Sequence, residues 1–203
     1  MKLAARKWVD YWWDLRLGVK TRGTAPVSHD DAVHYATLPY PHIFRILGSL
    51  QMGRDDVFVD IGCGKGRVVC CCLRLPIKKV IGVENDGYLL SVARSNVTQV
   101  RGARARALIF ESAAEDYAYL EGTVFYLFHP FGALTLSKVL SRLRRARDSH
   151  PRPLRIVYAN DRHKELLENA GWLEVYDRWT PVGRRALDHA VSFWTTTRRA
   201  KPA

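Results

Sequence analysis

Two acids, a glycine-punctuated turn and one histidine carry the chemistry open to this chain. Asp60 closes the apolar run Val57-Phe58-Val59 and precedes Ile61-Gly62-Cys63-Gly64-Lys65-Gly66. The run reads as a buried strand and the segment from Arg67 to Leu73 as a helix. The glycines fall where a backbone must turn sharply and approach a ligand closely. Their G-x-G-x-G spacing is not the G-x-G-x-x-G dinucleotide fingerprint, and no G-x-x-x-x-G-K-[ST] phosphate loop occurs. A carboxylate beside the loop suits a ligand with an ammonium group better than one carrying phosphates. Glu84 ends the next apolar run, Lys79-Val80-Ile81-Gly82-Val83, roughly 20 residues after the loop, where α/β sites place the acid that grips ribose hydroxyls. His129 follows the aromatic strand pattern Thr123-Val124-Phe125-Tyr126-Leu127-Phe128 and leads into Pro130-Phe131-Gly132. An unperturbed histidine titrates near neutrality, so His129 is a candidate proton acceptor. The other reading has it cap the strand end and lend only its carbonyl.

Val59-Asp60-Ile61-Gly62-Cys63-Gly64-Lys65-Gly66 and Gly82-Val83-Glu84 resemble motif I and the post-I acid of the class I, S-adenosylmethionine-dependent methyltransferases. The resemblance implies that Asp60, Gly62, Cys63, Gly64 and Gly66 lie along the methionine part of the cofactor. It implies that Glu84 binds both ribose hydroxyls, with Asn85 beside it in the same site. The family commonly carries an Asp-Ala pair after the third strand, the Asp binding the adenine amino group. This chain has Ser112-Ala113 there, preceded by Glu111, so Glu111, Ser112 or a main-chain group is left to make that contact. His129-Pro130-Phe131-Gly132 matches motif IV in position and resembles, in outline, the Phe-Gly-ending version of the non-SET histone lysine methyltransferases. His129 stands where amino-methylating members carry Asn or Asp, so the group that would accept an amino hydrogen is absent. His129, Pro130 and Phe131 are the catalytic candidates, with Phe131 placed to stack on a planar substrate or wall off an alkyl stem. The segment before motif I often folds over the cofactor in this family, which makes Tyr35 and Tyr40 lid candidates; ordinary packing is the other reading.

These residues need a frame. From Val57 onward strand and helix patterns alternate, which predicts an α/β fold: a doubly wound, mostly parallel sheet. Strands are expected around 57–61, 79–84, 107–110, 123–128, 154–160, 172–179 and 190–197, the last two pairing as an antiparallel hairpin. Seven strands in this arrangement is the architecture that the resemblance implies. A helix is expected after Asp86, another over 134–147, with Lys138, Arg142 and Arg145 as a solvated basic stripe, and a third over 164–170. Residues 1–20 read as an amphipathic helix whose stripe of Trp8, Tyr11, Trp12, Leu15 and Val19 either docks on its own domain or lies on a membrane surface. The expected division is 1–34, N-terminal helix and loop, and 35–203, a single methyltransferase domain.

At 203 residues and 47% apolar, the chain suits one domain with a sizeable core. No stretch approaches the roughly 18 apolar residues of a membrane span, and Asp10 and Asp14 interrupt any leader-like run, so a cytoplasmic location is expected. Cys70, Cys71 and Cys72 point in three directions on a helix and cannot jointly chelate a metal; with Cys63 they read as small apolar fillers in a reducing compartment. The net charge of +12 favours an acidic partner, nucleic acid among them, without naming one. Methyl transfer needs no metal, and no metal-ligand set is present. The expected function is methyl transfer from S-adenosylmethionine to an amine, or another nucleophile, of a protein or small molecule. The alternatives are an RNA methyltransferase, with Arg184-Arg185 among its phosphate contacts, and a non-catalytic S-adenosylmethionine-binding scaffold.

Overall fold

The structure is a computed structural model, and it describes residues 3–23, 36–181 and 189–197. The order of elements is α1 (Leu3–Leu17), α2 (Tyr40–Ser49), β1 (Val57–Ile61), α3 (Arg67–Cys72), β2 (Lys79–Glu84), α4 (Gly87–Gln99), β3 (Arg106–Glu111) and β4 (Val124–Phe128). It continues with α5 (Ala133–Ser149), β5 (Arg155–Ala159), α6 (Lys164–Glu168), β6 (Leu173–Trp179) and β7 (Val191–Thr196).

One seven-stranded sheet runs in the order β3-β2-β1-β4-β5-β7-β6. The first five strands pair in parallel, and β7 runs antiparallel to both β5 and β6. The expected doubly wound α/β sheet with a terminal hairpin is therefore present. Burial explains the residue choice. β1 and β2, covered on both faces, are apolar almost throughout, whereas the edge strands β3 and β6 leave several positions to solvent. Phe58 belongs to a core layer shared with α2, α3 and Leu17 of α1; Val57, Val59 and Ile61 belong to the opposite layer under α5 and α6. The two-residue period of β1 puts Asp60 on the Phe58 side. Asp86 starts α4 as its N-cap, accepting the Leu89 N–H at 2.9 Å. The four cysteines are free and buried, as fillers should be. Among the described residues no helix is long and apolar enough to cross a membrane.

Two expectations require correction. The aromatic stripe of α1 does not dock on the domain: Trp8, Tyr11, Trp12 and Leu15 are exposed, and only Val19 of that set is buried. The inward face is instead Asp10, Trp13, Asp14 and Leu17. Asp14 accepts from Thr21 N and Oγ1, from Tyr40 Oη at 2.6 Å and from Arg22 Nε. Asp10 accepts from Arg67 Nη1 and Tyr40 N, so buried hydrogen bonding rather than apolar area sets the helix's orientation. The second correction concerns the basic stripe of α5. Lys138 lies 3.7 Å from Glu115, and Arg142 donates to the Glu115 carbonyl at 2.7 Å, so two of its three bases tie down the loop after β3.

Candidate functional site

The carboxyl ends of β1, β2 and β4 bring the predicted residues together where a doubly wound sheet places its ligands. β1 ends at Ile61, and Gly62 N and Cys63 N both donate to the Val83 carbonyl, which folds the glycine loop back onto β2. Glu84 closes the corner. Its Oε2 accepts the Gly64 N–H at 2.8 Å, and its Oε1 accepts those of Asn85 and Asp86. Three backbone donors thus hold this buried carboxylate rigid, and Oε2 keeps a lone pair for a ligand hydroxyl.

Asp60 is 3% exposed and sits beside Glu84. Burial, and then the Glu84 charge, push its carboxyl up to about 8. No lysine or arginine among the described residues pairs with it. A buried carboxylate without a cation is costly by itself. It fits a ligand ammonium arriving over the loop, which is the test the cofactor's amino group sets for this site.

The loop conformation needs glycine. Gly62 has φ +74°, and a Cβ there would stand 2.5 Å from Pro130 Cβ. Motif I and motif IV therefore touch through that missing side chain. Gly66, at φ +77°, turns the chain into α3 with a Cβ direction facing Ala93 of α4. Gly62→Ala is expected to cost about 1–3 kcal/mol by forcing the two loops apart. A denaturant midpoint equal to the wild type would remove this contact from the account.

His129 follows directly on β4 with φ +42°, a left-handed conformation uncommon outside glycine. It is buried, and its Nδ1 lies 3.1 Å from Tyr158 Oη of β5. With Nδ1–H donating to the phenol oxygen, Nε2 keeps the lone pair a base needs. Burial first, then the neighbouring His163 and Arg162, hold the imidazole's pKa below its usual value. Tyr158 is itself pushed up to about 12 by burial and stays a neutral phenol. Sequence reading passed over Tyr158 because a tyrosine inside Ile156-Val157-Tyr158-Ala159 looks like any core strand residue.

The remaining candidates divide. Ser112 N donates to the Glu84 carbonyl, and Ser112 Oγ donates to the Ala113 carbonyl, leaving the hydroxyl's lone pairs as acceptors. Glu111 is largely exposed, 3.7 Å from Arg94. Phe131 is 7% exposed and packs in the core layer under α5 rather than presenting a free ring. Tyr40 is fully buried within the Asp14 network, so it packs rather than forms a lid. Tyr35 and Arg184-Arg185 lie outside the described residues. Residues 20–22 occupy the loop's flank instead: Lys65 Nζ donates to the Arg22 carbonyl, and Asn96 bridges Lys20 and the Lys65 carbonyl.

Residues 59–147 match the family model described as a methyltransferase domain. Over 103 residues the chain is 28% identical to a protein-lysine N-methyltransferase of Saccharolobus islandicus, covering 50% of this chain and 63% of that protein. Over 178 residues it is 27% identical to the 23S rRNA (uracil(1939)-C(5))-methyltransferase RlmD of Stenotrophomonas maltophilia, covering 87% of this chain and 37% of that protein. It thus spans only part of the length of either curated relative. Among solved structures, an RNA methyltransferase from Salinibacter ruber in complex with S-adenosyl-L-homocysteine has a TM-score of 0.58 at 21% identity, over 83% of this chain and 98% of that one, a likeness of fold. Residues 59–147 thus carry a methyltransferase domain, and the motifs and strand order around it agree with the class I, S-adenosylmethionine-dependent fold.

Proposed function

We propose that the chain transfers a methyl group from S-adenosylmethionine to an amine, or another nucleophile, of a protein or small molecule. Residues 35–203 form its methyltransferase domain in this reading, and 1–34 a helix and loop beside it. The observation that carries the reading is Asp60, a buried carboxylate that pairs with no lysine or arginine among the described residues, at the crevice where the family binds its cofactor. The cofactor supplies a methyl on a sulfonium, with a good leaving group. Asp60 holds the ammonium, and Gly62, Cys63, Gly64 and Gly66 let the backbone approach. Glu84 and Asn85 take the ribose side; Ser112, Ala113 or Glu111 takes the adenine. The contact of Gly62 with Pro130 fixes the two loops that hold acceptor and methyl in line, a positioning effect of roughly 7–11 kcal/mol in favourable cases.

His129 takes the acceptor's proton. Its depressed pKa keeps it neutral, and so basic, at neutral pH; with cofactor saturating, turnover loses this base only as pH falls through a value below the ordinary 6.5. His129→Ala is expected to lower turnover about 100-fold while leaving cofactor affinity unchanged. Full turnover in that variant would return His129 to the strand-cap reading.

The lysine methyltransferase relative supports an amine acceptor. RNA is the second reading, favoured by the ribosomal RNA methyltransferase relative and the charge of +12. Methylation at a pyrimidine carbon calls for covalent activation of the ring, and the buried thiols here are pushed up, which disfavours that version. Four free cysteines support a cytoplasmic location. The test is calorimetric titration with S-adenosylmethionine, S-adenosylhomocysteine, NAD and ATP, followed by labelled-methyl transfer to protein, RNA and metabolite pools. Label in protein or small amines supports the first reading and label in RNA the second. Binding without turnover in any pool makes the chain a scaffold, and preference for NAD or ATP overturns all three.

A further inference from the structure

The outer face of α1 is unusual for a helix anchored to a core. Trp8 is 70% exposed, Trp12 51%, Leu15 55% and Tyr11 37%. Their spacing puts them in one stripe about 100° wide. Exposed bases stand on its margins, Lys7 on one side and Arg16 on the other, with Lys20 just beyond the helix end. Both acids of the helix are turned inward, Asp10 onto Arg67 and Asp14 onto Thr21, Tyr40 and Arg22. What faces outward is therefore aromatic, aliphatic and positive, with no negative charge of the helix among it.

We propose that this face seats the protein on an anionic membrane surface. A convex apolar stripe edged by bases fits the boundary between acyl chains and acidic headgroups, and Trp and Tyr favour that depth. Two features argue against other occupants. Nucleic-acid bases stack on open ring faces, but the Arg16 guanidinium lies 5.3 Å from the Trp12 ring centroid and that of Arg22 4.6 Å from Tyr11. A second copy of this chain would bring like charge against like charge, and four partly exposed side chains fall well short of the roughly 800 Å² per partner of a stable dimer. The attachment is peripheral and reversible, since one short stripe buries little. α1 runs into residues 20–22, which flank the glycine loop, so the seated helix is tied to the crevice through that short segment.

The proposal stands independently of the methyltransferase reading, because its readout is partition rather than turnover. The full chain is sedimented with phosphatidylcholine vesicles and with vesicles in which about one-third of the lipid is phosphatidylglycerol. Binding is expected to the anionic vesicles only and to weaken with salt. The double variant Trp8→Ser/Trp12→Ser is expected to lower the partition coefficient about tenfold with only a small fall in melting temperature, because Trp12 meets the core through the edge of the Trp13 ring and both side chains are largely exposed. Leu15→Asp is expected to act in the same direction. Absence of anionic-vesicle binding, or equal binding by wild type and both variants, overturns the proposal. So does a dimer in solution, or retention on RNA, that the double variant abolishes.

Discussion

Asp60→Asn is expected to weaken binding of S-adenosylhomocysteine about 10- to 100-fold, the loss of a charge-assisted contact to a buried acceptor. The wild type is expected to release a proton as it binds. Its carboxyl is raised to about 8, so near pH 6.5 the free protein holds Asp60 protonated, and an arriving ammonium favours the ionised form. Affinity should therefore climb as pH rises toward 8, until the ligand's own ammonium begins to titrate. The stability linkage runs the other way. Between the unfolded value near 4 and about 8 the folded chain holds a proton that the unfolded chain has released, so stability falls as pH rises through that window. Above it, Asp60→Asn removes a buried charge and should melt no lower than the wild type. Calorimetry in two buffers of different ionisation enthalpy reads the proton directly. Buffer-independent binding heats would sink the assignment of Asp60 to the ammonium.

The frame was legible because its determinants are local. The apolar runs of β1, β2, β4 and β5 are continuous, as strands covered on both faces require, and Asp86 announces α4. The insertion of β7 between β5 and β6 was reachable only through the family resemblance, since no short-range pattern specifies it. The orientation of α1 was not legible. Periodicity counts apolar residues, and Trp8, Tyr11, Trp12 and Leu15 outvoted Asp10 and Asp14, whose partners Tyr40 and Arg67 lie far along the chain. At the site, acids and glycines were visible because their spacing is constrained by the ligand. Tyr158 was hidden because its contact with His129 crosses from β5 to β4, and the packing of Phe131 was not visible because a motif aromatic and a core aromatic look alike in sequence. What a window of sequence cannot see is the long-range polar partner.

Arg67 is the strongest case of such a partner. It is 3% exposed at the first position of α3, directly after the glycine loop. Its Nε donates to Thr21 Oγ1 at 2.8 Å, its Nη1 to Asp10 Oδ2 at 3.0 Å and to the Leu38 carbonyl, and its guanidinium lies over the Tyr40 ring. One side chain therefore joins α1, the segment after it, the start of α2 and motif I. Arg67→Ala leaves the Asp10 charge without its cation, holding only the Tyr40 N–H, and takes this donor from the Leu38 carbonyl; it is expected to cost about 3–5 kcal/mol. In a chain of this size that corresponds to roughly 10 °C in melting temperature. Adding Asp10→Asn should recover part of the loss, because the stranded charge goes with it, and a double-mutant cycle measures the coupling. A second effect separates this role from general weakening. Residues 20–22 flank the glycine loop through Lys65 and Asn96, so loosening Thr21, which then keeps only its Asp14 and Tyr40 contacts, should also lower cofactor affinity, in a variant that touches no ligand. If Arg67→Ala melts like the wild type, the network is ornamental; if it melts early yet binds cofactor normally while folded, the N-terminal strap has no part in shaping the site.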